Sequence, residues 1–399
     1  MKNYERFAIK YTIIIFSSKV GGGFFFFINT WMMAIALDDK LVTSYNLMAS
    51  IIPSIVFSHL IGSLCDKYYS VVFCIIADSI RLCLLITLLF ITRHNMLSQL
   101  NSFSLSFIFY LMNELQQIAW RATISKKFSN NNLLSFNAIS IIGGQSGVII
   151  GAASAGFISF YFGYAWLLII SASLYFLSTV TSYLSIKELQ GDTCESVEII
   201  SKSFDINVFK YVLSNTGVIL LYSLMLLNVA VLYLINSTLA PFLKTVLGLN
   251  EKAFSIIDAT YSLGSVIGGY LIAILYKRNT GRIVVKGTFI MMALSLLFYG
   301  SSSGMIMASV CYFFIGFCSQ NSLIFLTCAQ KITATSYQAR VYSLFNTIAG
   351  VVGLAIYSLS YVIIKYSLYR EVFVISSLIT LTICIYVFMK NKDDVFNNQ

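Results

Sequence analysis

The sequence predicts an all-α polytopic membrane protein, with twelve transmembrane helices in two pseudo-symmetric six-helix bundles. Three observations predict it. Apolar residues make up 58% of the 399 residues, about 231, and charged residues only 11%, against roughly 25% in an ordinary soluble chain. Twelve spanning helices need roughly 240 mostly apolar residues, at about 20 each. Finally, the second half of the chain echoes the first. Mean hydropathy is +0.82 and there are only two prolines. These values exclude a soluble enzyme, a disordered chain, a collagen and a disulfide scaffold.

The apolar segments cover about 11–36, 44–64, 70–92, 101–122, 135–160, 163–186, 213–240, 253–275, 283–300, 303–328, 340–364 and 368–389. Each is long enough to cross hydrocarbon, where backbone groups find no water and must bond within a helix. The first segment follows a basic stretch, residues 1–10, and is broken only by Lys19. It extends to about residue 37, longer than the apolar core of a cleaved signal peptide, so a retained first helix is expected. The segments at 283–300 and 303–328 are separated only by the Ser-rich residues 301–304, so one long buried hairpin is the competing reading there.

Net charge is +10. In a membrane chain this is read first as topology, because cytoplasmic loops collect Lys and Arg. With the N-terminus inside, 18 of the 26 basic residues fall on the cytoplasmic side and six opposite, with Lys19 and Arg81 inside segments. That bias places both termini in the cytoplasm and leaves no reason to invoke nucleic acid. The longest polar stretch, about 187–212, carries Glu188, Asp192, Glu195, Glu198 and Asp205. It reads as a cytoplasmic linker between an N-terminal bundle, 1–186, and a C-terminal bundle, 213–399. Phe136-Asn137-Ala138-Ile139 opens segment five, and Phe345-Asn346-Thr347-Ile348 opens segment eleven, an offset of 209 residues. Such internal repeats are a hallmark of transporters.

Seven of the eight cysteines lie in or beside apolar runs, no Cys-x-x-Cys occurs, and only His59 and His94 are present. No metal site, disulfide framework or Walker sequence is expected, and no cofactor. His59 reads as a helix-packing residue or a member of a proton relay.

Charges inside membrane helices are costly and mark function by default. Asp78 and Arg81, three apart, share one helix face. From spacing alone they are either a conformational latch near the cytoplasmic end or a static staple. Lys19 lies in segment one and Glu114 near the middle of segment four. They are candidates for a pair that carries a proton or holds substrate charge; the alternative is a permanent neutralising pair. Gln116, Gln117, Asn228, Gln320, Asn321 and Gln330 are polar groups in or near apolar helices, where interhelical hydrogen bonding or a substrate path explains them. Asp258 reads as interfacial. Aromatic residues make up 15%, with Phe at each of positions 24–27; they suit interface belts or a cavity for apolar or cationic compounds. Gly143, Gly144, Gly147, Gly151 and Gly156 form a small-residue face for close helix contact.

Several of these residues together resemble a known family. Gly62-x-x-x-Asp66-Lys67, with Pro53 nine residues before Gly62, resembles the loop signature between helices two and three of the major facilitator superfamily. Ala77-Asp78-Ser79-Ile80-Arg81 is similar to the Ala-Asp-x-x-Arg of its macrolide-efflux and enterobactin-exporter-like branch. Trp120-Arg121-Ala122 and Phe136-Asn137-Ala138 resemble the connection of helices four and five there. Pro241-Phe242-Leu243 to Gly248 resembles the end of helix seven, and Ala339-Arg340-Val341-Tyr342-Ser343 the start of helix eleven. The loop departs from the pattern at Tyr68-Tyr69-Ser70-Val71. The glycine-rich motif of segment five resembles that of proton-driven exporters but has Ala152 where a proline is usual.

The resemblance implies a monomeric secondary transporter of a bacterial inner membrane. It would export a small organic compound, such as an antibiotic, a siderophore or a peptide-like product, by proton antiport. Lys19, Glu114, Gln117 and Asn228 would serve coupling or substrate. Gly62, Asp66, Lys67, Asp78, Arg81, Arg121 and Arg340 would form the cytoplasmic gate. A proton-coupled nutrient importer of the same fold, and a membrane sensor or assembly factor, are the alternatives.

Overall fold

The computed structural model describes residues 2–68, 70–127, 130–189, 206–278 and 281–390. Its described residues are helical, joined by short turns. The N-terminal unit contains α1 (Lys2–Phe27), a wide-turn segment (Ile28–Met32), α2 (Met33–Ala36), α3 (Val42–Lys67), α4 (Ser70–Arg93), α5 (Gln99–Lys127), α6 (Asn130–Phe162) and α7 (Tyr164–Leu189). The C-terminal unit contains α8 (Ile206–Ser214), α9 (Thr216–Thr245), α10 (Glu251–Arg278), α11 (Gly281–Gly300), α12 (Met305–Ser319), α13 (Ser322–Ile332), α14 (Thr335–Lys365) and α15 (Tyr369–Lys390). The chain divides into units Met1–Ile200 and Ser201–Gln399.

Nine described spans are long and apolar enough to cross a membrane, the first running Arg6–Ala36 through α1 and α2. The other three crossings are α3, α5 and α6. Shorter apolar stretches, Val42–Ser58 and Ser146–Phe162, lie in α3 and α6. α5 is less apolar because Asn113, Glu114, Gln116 and Gln117 sit in its interior. Of the stretch read as a linker, 190–205 lies outside the described residues, while 206–214 forms α8, whose Tyr211 and Val212 pack on the core of the C-terminal unit.

The two units repeat one plan. In the first, α1 packs on α6, α3 on α5 and α4 on α7; in the second, α9 packs on α14, α10 on α12 and α11 on α15. The 209-residue echo has a packing counterpart. Phe136 meets Tyr11 of α1 edge to face at 5.5 Å, and Phe345 meets Tyr222 of α9 at 5.1 Å.

Without a hydrophobic drive between helices in lipid, close approach depends on small residues. A Cβ on Gly147 would lie 2.8 Å from Lys19 Cβ, and one on Gly151 would collide with the Val20 carbonyl of α1. Gly156 is buried further along α6, where its carbonyl accepts a hydrogen bond from Ser159. The C-terminal unit crosses α10 and α12 in the same way. Side chains on Gly264 and Gly268 would strike the carbonyls of Phe313 and Phe317. Of the described cysteines, only Cys83 is exposed; Cys194 lies outside the described residues.

Candidate functional site

The interior of the N-terminal unit is built around Asp78 and Arg81. One turn of α4 brings the carboxylate and guanidinium together as an ion pair, with both side chains fully buried. Gln116 of α5 donates from Nε2 to both Asp78 oxygens at 3.0 Å. Ser178 of α7 donates to Oδ2 at 2.6 Å. Ser18 of α1 donates to Gln116 Oε1 at 3.1 Å. Arg81 donates from Nη1 to Asn113 Oδ1 at 3.4 Å and lies 4.6 Å from the Tyr175 ring centre. Tyr175 in turn donates to the Ser18 carbonyl at 3.2 Å. Four helices, α1, α4, α5 and α7, therefore converge on one buried charge pair. Such a pair breaks even on its own, but losing one partner leaves a costly charge.

Lys19 and Glu114 stand beside this network, both half-buried. They lie within electrostatic reach of each other, and Lys19 also of Asp78, Arg81 and Arg121. No direct ion pair joins them. Lys19 follows Ser18 on α1 and runs beside Gly144, whose missing side chain leaves space about Lys19 Cγ and Cε. Gln117 is half-buried and Arg121 exposed, one turn further along α5. Gly62 is half-buried, and a Cβ there would meet nothing within 4 Å, so it is not a close-packing glycine in this unit. Asp66, Lys67 and Arg340 lie on helices, but their side chains, like that of His59, are outside the described residues.

The C-terminal unit holds an uncharged counterpart. Asn228 of α9 is buried and donates to Asn321 Oδ1 at 2.5 Å and Ser322 Oγ at 2.9 Å. Asn321 donates to Thr288 Oγ1 of α11 at 3.3 Å. Asn321 lies where α12 gives way to α13. There Gln320 and Asn321 tighten the backbone onto Phe317 and Cys318, three residues back, as polar residues that bond locally tend to do. Asn228 Oδ1 is buried without a hydrogen-bond partner. The 209-residue offset that relates Phe136 to Phe345 also relates Lys19 to Asn228 and Asn113 to Ser322. Along the sequence the two polar centres are thus one repeat length apart.

Asp258 lies about two turns into α10 and is half-buried. Sequence reasoning missed Ser18, Asn113, Tyr175 and Ser178. Asn113 was detectable, standing three residues before Gln116 on one face of α5. A serine in an apolar helix carries no such signal.

Charged and amide side chains inside bundles of apolar helices are rare and mark function by default. The Major Facilitator Superfamily model matches residues 11–358, and the chain belongs to that family. Solved structures share the fold. The nucleoside transporter NupG aligns with a TM-score of 0.72 at 14% identity, over 96% of this chain and 99% of that one, and a point mutant of it aligns at 0.74. A bacterial homolog of the human lysosomal transporter Spinster, in an inward-facing, unoccupied conformation, aligns at 0.70 and 12% identity, over 97% and 96% of the two chains. A point mutant of the peptide transporter POT, in complex with sulfate, aligns at 0.69 and 12%, over 96% and 94%. No protein of curated function matches the sequence.

Proposed function

We propose that the chain is a secondary active transporter that exports a small organic compound by proton antiport and alternating access. The observation that carries this reading is the contrast between two charge pairs in one unit. Asp78 and Arg81 are spent on each other and on hydrogen bonds from α5 and α7. Lys19 and Glu114 are near one another, half-buried and not joined. A half-buried acid with a cation close by can exchange its proton for substrate or release it, which a saturated pair cannot do. In this reading Glu114 and Lys19 couple proton and substrate, with Gln117 beside them. Asn228, one repeat length beyond Lys19 in the sequence, binds substrate through its unpartnered carbonyl oxygen.

The direction of transport rests on the likeness of Ala77-Asp78-Ser79-Ile80-Arg81 and the neighbouring motifs to the macrolide-efflux and enterobactin-exporter-like branch. With it come Gly62, Asp66, Lys67, Arg121 and Arg340 as gate residues, a bacterial inner membrane, cytoplasmic termini and a monomer. Within the gate set, Asp78 and Arg81 act as the rigid base of the N-terminal unit, because their partners among the described residues lie inside that unit.

Purified protein in liposomes tests the reading. Substrate efflux should follow an imposed pH gradient and should lose that dependence in Glu114→Gln. Efflux that ignores the gradient in the wild type would sink the coupling. The similar fold of transporters named for nucleosides and peptides favours a nutrient importer as the second reading. Cells carrying the gene would then accumulate such a nutrient instead of excluding drugs.

A further inference from the structure

The first crossing of the N-terminal unit does not keep a regular ladder. Between α1 and α2 the five residues Ile28–Met32 form a wide turn, in which the Met33 N–H donates to the Ile28 carbonyl, five residues back. A turn with one extra residue disturbs the pairing of carbonyls with donors four residues on, and turns of this kind are rare and frequently functional. Buried carbonyls need partners from elsewhere, and here α3 supplies them. Thr43 Oγ1 donates to the Thr30 carbonyl at 2.9 Å, and Asn46 Nδ2 donates to the Asn29 carbonyl at 3.1 Å. Asn29, Thr30, Thr43 and Asn46 are all buried.

The fifth helix joins this clamp. Asn46 Nδ2 also donates to Ser102 Oγ of α5 at 2.8 Å, and Ser102 Oγ lies 3.0 Å from Met33 Sδ, just past the wide turn. Ser106 of α5 donates to Asn29 Oδ1. Asn29 Nδ2 has no hydrogen-bond partner at bonding distance, with the Tyr110 hydroxyl of α5 in its range. Beyond α2, Asp39 accepts from the Leu41 N–H at 2.8 Å and from Gln99, the first residue of α5, at 2.6 Å. The second unit interrupts its first crossing at the same register. The 209-residue offset carries Met32 to Pro241, inside α9, and a proline removes one bond from the ladder. One turn before it, the Ser237 and Thr238 hydroxyls both donate to the Leu234 carbonyl, at 2.8 and 2.7 Å, a pairing that bends helices.

The carbonyls of the wide turn can be satisfied in two ways. Thr43 and Asn46 hold them from outside, or backbone N–H groups four residues on replace those side chains in a plain α-turn. We propose that Ile28–Met32 is a hinge that passes between these two arrangements during transport, with Thr43 and Asn46 as its latch. Closing the wide turn shifts the residues beyond it by one place in the helical register, about 100° at 3.6 residues per turn. It also frees Asn46 to pair with Ser102 alone and lets the unspent Asn29 amide find a partner. The movement reaches α5 through Asp39 and Gln99, and α5 carries Glu114 and Gln116. The inference rests on the alternating-access reading only for its place in a cycle; the hinge is independent of substrate, proton and direction.

Hydrogen exchange of the purified full-length protein, followed by mass spectrometry, tests the hinge without substrate. A hinge opens the backbone bonds of its own segment and leaves its neighbours closed, so amides of residues 28–37 should exchange about ten-fold or more faster than those of residues 14–25 on the same helix. The double variant Thr43→Val with Asn46→Leu removes the latch at similar volume. Exchange of 28–37 should rise by about a further ten-fold, the worth of one such hydrogen bond, with 14–25 unchanged. Should the double variant not fold, Thr43→Val alone serves, with a rise confined to the same residues. Equal protection of the two segments in the wild type would overturn the proposal. So would a variant whose exchange does not rise in 28–37, or rises evenly along α1 and α3, since the two side chains would then only hold the fold. None of these results bears on the pH-gradient test of Glu114.

Discussion

Gln116 donates to both carboxylate oxygens of Asp78 at equal distance, 3.0 Å. With Ser178 and Arg81 added, Asp78 reaches a saturated set of hydrogen bonds in a site without water access. A carboxylate so surrounded behaves as a structural centre, and the cost of breaking it falls on whichever partner remains.

Substituting Arg81→Met should destabilise the N-terminal unit by about 3–5 kcal/mol, because Asp78 is left as a buried, uncompensated charge. The double variant Asp78→Leu with Arg81→Met should recover much of that loss, since an apolar pair of similar volume is often neutral or better. Thermal unfolding in detergent measures both. A double variant as unstable as the single one would show that hydrogen bonds, rather than charge, dominate.

Glu114→Gln should change stability by less than about 1 kcal/mol, because Glu114 makes no direct ion pair whose loss would strand a partner. Its effect should fall on coupling, with efflux no longer responding to the pH gradient. A large fall in unfolding temperature with coupling intact would make Glu114 a structural residue.

Gly151→Leu should prevent α1 from seating on α6, since even a Cβ there meets the Val20 carbonyl. Overpacking of this kind costs about 1–3 kcal/mol or more. Gly62→Ala, with open space around it, should be tolerated and serves as the control. Folded yield by size-exclusion chromatography distinguishes the two; equal yields would contradict the crossing.

Asn228→Ala should cost about 1–3 kcal/mol, because Asn321 loses its donor in a buried site. Asn228→Asp keeps the volume but removes both N–H donors, so it should be no more stable than Asn228→Ala. Substrate affinity should fall in both variants, measured by binding to the purified protein. Unchanged affinity would remove Asn228 from the substrate path.

The repeat was legible in outline. Four residues at Phe136 and Phe345 marked it, and the structure adds that each phenylalanine packs on a tyrosine of the first helix of its unit's core, Tyr11 of α1 or Tyr222 of α9. The glycines of α6 were legible too, because spacing on a helix fixes which residues share a face. The matching crossing of α10 and α12 through Gly264 and Gly268 was present in the same form and was overlooked.

Membrane residence and the helical fold class follow from the order of residues alone, because they depend on the length and polarity of segments, which are local properties. The same holds for the shared face of Asp78 and Arg81. What surrounds a charge depends on other helices and was decided only when they packed. Ser178 is 100 residues from Asp78, and Ser18 is 98 from Gln116. Neither distance along the chain nor the identity of a serine signals such a bond.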